Sequence, residues 1–178
     1  MGVSTPQPYF SGYASQKERM LRPTAMPTTS SITRTYRFCA AHRLHTDQLP
    51  DDINQKIFGK CNNLNGHGHN YTILVTVTGE LDTRTGLITN VEALDHLVKD
   101  RIVDRFDHQH LNFDSAFEHV TTTGENLARL IWDLLVDHIP SGRLGKIGVI
   151  ETRDNFFEYI GDPQGPKSSV RNRKKENE

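Results

Sequence analysis

Regular alternation of apolar and polar side chains begins at Ser31. In SITRTYRFCAAHRL, Ile32, Tyr36, Phe38, Ala40 and His42 share one parity and Arg34 is the misfit, which is the period of a half-buried strand. The same period returns after CNNLNG: His67, His69, Tyr71, Ile73, Val75 and Val77 alternate with Gly68, Asn70, Thr72, Leu74, Thr76 and Thr78, predicting a second strand from His67 to Gly79. The segment between them, His45 to Lys60, is polar, contains Pro50 and Asp51-Asp52, and reads as a long loop. Past the turn chemistry of GELDTRTG and a short apolar return at Leu87 and Ile88, the period becomes helical. Thr89 and Glu92 match a capping box ahead of Val91, Leu94, Leu97, Val98 and Ile102, and this helix is expected to end near Arg105. A second pair, Thr122 with Glu125, opens a helix carrying Leu127, Leu130, Ile131, Leu134 and Leu135, which Ile139-Pro140-Ser141-Gly142 stops. Strands at about 146–152 and 156–160 complete the pattern.

The order strand, strand, helix, helix, strand, strand predicts an α+β fold, a four-stranded antiparallel sheet with two helices on one face. Such a sheet has two open edges, and pairing them between copies is the economical way to cover them, so a homo-oligomer is expected. With 178 residues the chain suits a single domain, placed at 31–162. Residues 1–30, rich in Pro, Ser, Thr and Gln, and the charged tail 163–178 carry no apolar period and read as disordered extensions. A net charge of -1 gives no field that would draw the chain to nucleic acid or an anionic membrane. No apolar run reaches the roughly 18 residues of a membrane span, and a cytoplasmic protein is expected. Two cysteines, Cys39 and Cys61, make no disulfide framework.

Candidate chemistry gathers where the polar loop meets the second strand. His67 and His69 share a face with His42 of the neighbouring strand, and three imidazoles suit zinc. Three protein ligands leave a fourth position open for water or substrate. Cys61 either fills that position, which would make a closed structural site in a non-catalytic binding module, or stays free as a base whose thiolate a nearby dication favours. Asp107-His108 is a second candidate acid-base pair, with His45 and His110 as rivals for the imidazole role. Glu151 continues the apolar parity of Ile147 and Val149. It either pairs with an arginine such as Arg153 or accepts two hydrogen bonds from the planar N–H pair of a heterocycle.

Taken together, AAHRL, CNNLNGHGHNY, DHQHLN, TTGEN and GVIET occur in the order found in 6-pyruvoyltetrahydropterin synthases, and over residues 31–162 the chain resembles that family. The resemblance implies the tunnelling fold (T-fold), in which three subunits join their sheets into a barrel and two trimers stack, so a trimer or a dimer of trimers. It implies zinc on His42, His67 and His69, a catalytic set of Cys61, Asp107 and His108, and a pterin ring anchored by Glu151, with Thr123 and Glu125 as further pterin contacts. The implied reaction is a lyase step of tetrahydrobiopterin biosynthesis, from 7,8-dihydroneopterin triphosphate to 6-pyruvoyltetrahydropterin with loss of triphosphate. Magnesium is expected to accompany the triphosphate. The sister enzyme 6-carboxytetrahydropterin synthase, of queuosine biosynthesis, has the same fold and zinc. Its cysteine typically stands closer to the HGH pair, with three intervening residues, whereas five residues separate Cys61 from His67 here, a spacing that resembles the pyruvoyl enzyme. Gly124 departs from the pattern, since pyruvoyl enzymes often carry a second threonine there.

Overall fold

The computed structural model describes residues 29–162; the extensions expected at 1–30 and 163–178 lie outside the described residues, apart from residues 29 and 30. Strand β1 runs Ser30–His42 and pairs antiparallel with β2, His67–Gly79, over its whole length, from Ser30 opposite Gly79 to His42 opposite His67. On the other side of β2 lies β4, Arg143–Ile150, followed by β5, Phe156–Tyr159, both antiparallel to their neighbours. The α+β class expected from the sequence is the one observed, with one strand more than expected. A two-residue strand, β3 (Gln109–His110), pairs parallel with Ala40 and Ala41 on the outer edge of β1, giving the order β3-β1-β2-β4-β5. Two residues are too few to leave a period in the sequence.

Inward side chains of the sheet, among them Phe38, Tyr71, Ile73, Val75, Ile147 and Val149, form one core with the apolar stripes of two helices. Helix α2, Val91–Val98, contributes Leu94 and Val98 and continues through a π turn at Lys99–Val103 into a last α turn, Asp104–Phe106. Helix α3, Gly124–Leu135, contributes Leu127, Ala128, Ile131 and Leu135. Both helices end up on one face because each has one apolar stripe and the sheet offers one apolar surface. Arg34, the misfit of the β1 pattern, is explained by a polar partner: its guanidinium forks onto the Asp95 carboxylate of α2 at 3.0 and 2.6 Å, and the Tyr36 hydroxyl donates to the same carboxylate at 2.7 Å. Where β4 faces β2 the register shifts between Thr76 and Val77, skipping Gly145. This bulge lets Leu144 point inward although its parity differs from that of Ile147 and Val149.

The polar segment read as a loop holds a third helix. Helix α1, Asp51–Phe58, follows Pro50, has Asp51 and Asp52 in its first turn, and leads into a 3-10 turn at Gly59–Asn62. Its one buried side chain is Asn54, whose amide accepts from Thr46 N at 2.9 Å and donates to the carbonyls of Thr46 and Leu49 at 2.9 and 2.8 Å. A helix held by a buried amide has no apolar stripe to announce it. The caps of α2 and α3 also fall one residue beyond the expected ones: Asn90 accepts from Ala93 N, and Thr123 from Asn126 N. No helix among the described residues is long and apolar enough to cross a membrane.

Candidate metal centre and its surroundings

His42 closes β1, and His67 and His69 open β2. The antiparallel register sets His42 opposite His67, and His69 opposite Ala40, whose small side chain leaves room for an imidazole. The three ring centroids lie 4.6, 4.8 and 5.1 Å apart, and one ligand atom from each ring falls within 4.8 Å of the others. Gly66 makes the approach to β2 possible: it sits at φ +69°, and a Cβ there would stand 2.8 Å from the carbonyl oxygen of His42. Gly68 has no such role, because a Cβ on it would make only ordinary contact at 3.6 Å with Ala40 O.

The hydrogen bonding of the cluster leaves two imidazole nitrogens without a protein partner. His42 is 1% exposed, and its Nδ1 lies 2.8 Å from the carbonyl of Thr122, so Nδ1 carries the proton and Nε2 keeps its lone pair. That Nε2 is 3.1 Å from His67 Nε2. His67 Nδ1 and His69 Nε2 are buried without any hydrogen-bond partner. Two nitrogens bound to one tetrahedral ion at about 2.0 Å would be roughly 3.3 Å apart, so the spacing and the orphaned nitrogens both fit a metal ion. Burial lowers the proton affinity of His42 and, with the neighbouring His69, that of His67, which keeps both rings neutral and able to ligate.

Glu151, the residue after β4, turns its carboxylate toward this cluster. Oε1 stands 3.7 Å from His42 Nε2 and accepts a long hydrogen bond, 3.4 Å, from the Tyr71 hydroxyl. Burial, reinforced by that carboxylate, pushes the Tyr71 phenol up, so it stays a proton donor. Arg153 does not pair with Glu151; its guanidinium lies on Asp154 at 3.0 and 3.1 Å. Among the described residues, Glu151 is therefore an inward carboxylate with polar neighbours and no lysine or arginine paired with it. Cys61 lies in the 3-10 turn, half-buried, where its carbonyl accepts from Leu44 N at 2.8 Å, and it is close enough to act electrostatically on the Tyr71 hydroxyl. Of the rival imidazoles, His45 is taken up by Asn62 at 2.9 Å, and His110 stacks on Phe113 at 4.7 Å between centroids.

Asp107 and His108 form a pair of their own. The Asp107 carboxylate accepts from Cys39 N at 2.8 Å and lies 3.0 Å from His108 Nδ1; these two contacts hold its carboxyl below the usual carboxylate range. His108 takes up a left-handed φ of 58°, rare for a residue with a Cβ, and its backbone N–H donates to Cys39 O at 2.6 Å. Its ring projects into solvent, 81% exposed. It shares a shallow hollow with His69, but Cys61 does not line that hollow. Glu151 approaches the histidine cluster directly, whereas His108 reaches it only across the hollow it shares with His69, which Cys61 does not line.

Thr123 serves as the cap of α3, and Glu125 is exposed on its first turn. Gly124 has a packing reason: a Cβ there would lie 2.2 Å from the Phe157 ring, so the aromatic ring occupies the space of a side chain. Two residues near His42, Thr122 and Asn112, are not among the site candidates of the sequence: Thr122 reads there as a helix cap, and Asn112 closes the DHQHLN motif without a role of its own.

Fold and site together define an α+β protein with a three-histidine cluster on paired strands that could hold a metal ion. Residues 31–162 match the sequence profile of 6-pyruvoyl tetrahydropterin synthase. The human 6-pyruvoyl tetrahydrobiopterin synthase is 43% identical over 134 residues, 75% of this chain and 92% of that protein, and the Drosophila melanogaster protein of the same name is 42% identical over 73% and 79%. The solved structure of Caenorhabditis elegans 6-pyruvoyl tetrahydropterin synthase, 36% identical, superposes with a TM-score of 0.72 over 75% of this chain and 96% of that one. The chain belongs to the 6-pyruvoyl tetrahydropterin synthase family.

The depressed histidines carry a pH signature. Their folded proton affinity lies below the unfolded value, so below about pH 6.5 the unfolded chain binds more protons than the folded one. Stability of the metal-free protein is expected to hold above that pH and to fall as pH drops toward the folded values. Urea titrations between about pH 5 and 8 should show this slope, and His42→Gln should flatten it.

Proposed function

We propose that this chain is a zinc-dependent carbon-oxygen lyase that converts 7,8-dihydroneopterin triphosphate to 6-pyruvoyltetrahydropterin with release of triphosphate. The observation that carries the reading is the cluster of three imidazoles with two buried, unpartnered nitrogens beside an inward carboxylate, in a chain of this family. His42, His67 and His69 would hold the zinc, which supplies a positive charge that acidifies hydroxyls of the substrate side chain. Glu151 accepts the two N–H groups of the pterin ring, a planar donor pair that suits a carboxylate, and Tyr71 keeps that carboxylate aimed inward. Thr123 and Glu125, at the start of α3, are further pterin contacts in this reading. Cys61 takes the proton from the side-chain carbon. His108 donates its Nδ1 proton to Asp107, which leaves Nε2 as the atom that exchanges a proton with the substrate, and the ionised Asp107 favours the imidazolium that results. Magnesium would travel with the triphosphate.

The same reading makes the protein a homo-oligomer, a trimer or a dimer of trimers. Most of β1 and all of β5 have an open edge, and pairing them between copies closes a barrel. The Asp107-His108 pair sits on Cys39, where the stretch of β1 covered by β3 meets the open stretch, so edge pairing would carry it toward the histidine site of the next copy.

Incubation with dihydroneopterin triphosphate is expected to release triphosphate and give a product with the mass of 6-pyruvoyltetrahydropterin. The mass of the 6-carboxy product would overturn the assignment in favour of the sister activity. Cys61→Ala should keep its zinc and lose at least about 100-fold in turnover; loss of the zinc would mean that the thiol is a ligand in a structural site. Oligomer assembly has its own readout. Cys61→Ala and His108→Ala proteins, each inactive alone, should recover part of the activity when co-expressed, and no recovery would mean that each copy works by itself.

A further inference from the structure

The β1–β3 ladder stops at Ala41 opposite His110, one residue before the first histidine of the cluster. Beyond it, the peptide groups of Arg43 are held by a side chain. Asn112 Oδ1 accepts from Arg43 N at 2.8 Å, and Asn112 Nδ2 donates to Arg43 O at 2.9 Å, so one amide stands in for a strand neighbour on both sides. Thr122, 1% exposed, donates its hydroxyl to Arg43 O at 3.1 Å, with Asn112 Oδ1 as the alternative acceptor at 3.3 Å. The carbonyl of the same threonine accepts the Nδ1 proton of His42. These contacts close a ring: His42 to Arg43 through the chain, Arg43 to Asn112 and Thr122 through hydrogen bonds, and Thr122 back to the imidazole. The helix cap is the next residue, Thr123, so the buried Thr122 hydroxyl is not spent on capping α3.

We propose that Asn112 and Thr122 are positioning residues that preset His42 for its metal, fixing both its backbone and its tautomer before the ion arrives. The proposal rests on the reading of His42 as a zinc ligand. An imidazole free to rotate or to exchange tautomers would have to be ordered at binding; here the Thr122 carbonyl holds the proton on Nδ1 and aims the Nε2 lone pair at the cluster. The amide of Asn112 is specific to the task. A carboxylate in its place could not donate to Arg43 O and would set oxygen against oxygen at the present 2.9 Å.

The test measures zinc affinity of the full-length protein by competition with a chromophoric chelator, with circular dichroism and urea unfolding of each metal-free variant as the control for folding. Asn112→Asp and Thr122→Val are each expected to weaken zinc binding about 10- to 100-fold. Thr122→Ser, which keeps the hydroxyl, should remain within about 3-fold of wild type. A residue with only a structural part would lower the urea midpoint and leave the zinc affinity of the folded fraction where it was. Zinc affinities of folded Asn112→Asp or Thr122→Val within about 3-fold of wild type overturn the proposal. Should Asn112→Asp fail to fold, Thr122→Val, which retains shape and the carbonyl, decides alone. Wild-type protein that takes up no zinc, or holds it unchanged in His42→Ala, overturns the metal reading itself together with this proposal; the two failures are thereby distinguished.

Discussion

The register between β1 and β2 is the constraint on which the rest of this molecule depends. Thirteen consecutive pairs, from Ser30 with Gly79 to His42 with His67, fix which side chains share a face. Because side chains alternate, a slip of one residue would send Tyr71, Ile73 and Val75 into solvent and carry His67 and His69 away from His42. Core and metal cradle are thus specified by the same ladder. The apolar half resists slippage through burial, and the histidine half inherits a position that it could not hold on its own merits.

That inheritance has a cost which the local chemistry offsets. Three imidazoles at the rim of an apolar face lose hydration, and each unpaired nitrogen there is unfavourable. The chain relieves part of the penalty because burial keeps His42 and His67 neutral and because His42 has a carbonyl for its proton. It leaves the remaining lone pairs convergent, an arrangement that favours a cation. Glu151 and Tyr71 complete the polar lining, while Arg153, the cation that would have neutralised Glu151, is engaged with Asp154. The strained backbone of His108 belongs to a second locus, anchored on the outer edge of β1 through Cys39.

Much of this was legible in the sequence because it obeys a period. The parity of His42 with Phe38 and Ala40, and of His67 and His69 with Tyr71, sets three imidazoles on one face. Glu151 was found by the same parity, through Ile147 and Val149. What the sequence concealed lacks a period or depends on one polar contact. Helix α1 is secured by Asn54 and has no apolar stripe; β3 is two residues long; and the caps fell on Asn90 and Thr123, because adjacent hydroxyl and amide side chains compete for the same amides with nothing in the sequence to decide between them. Asn112 and Thr122 belong to this class, since a hydrogen-bonded ring across three segments has no linear signature. The anchoring of Asp107-His108 on Cys39 could not be read either, as it depends on how the turn after α2 meets the outer edge of β1.

The central claim is that three imidazoles hold the ion and that the thiol beside them stays free. X-ray absorption at the zinc edge of the metal-loaded protein tests it most directly. The account predicts a first shell of nitrogen and oxygen scatterers at about 2.0–2.1 Å, with imidazole multiple scattering equivalent to three histidines. A sulfur shell at about 2.3 Å would contradict it, by placing Cys61 on the metal and closing the site.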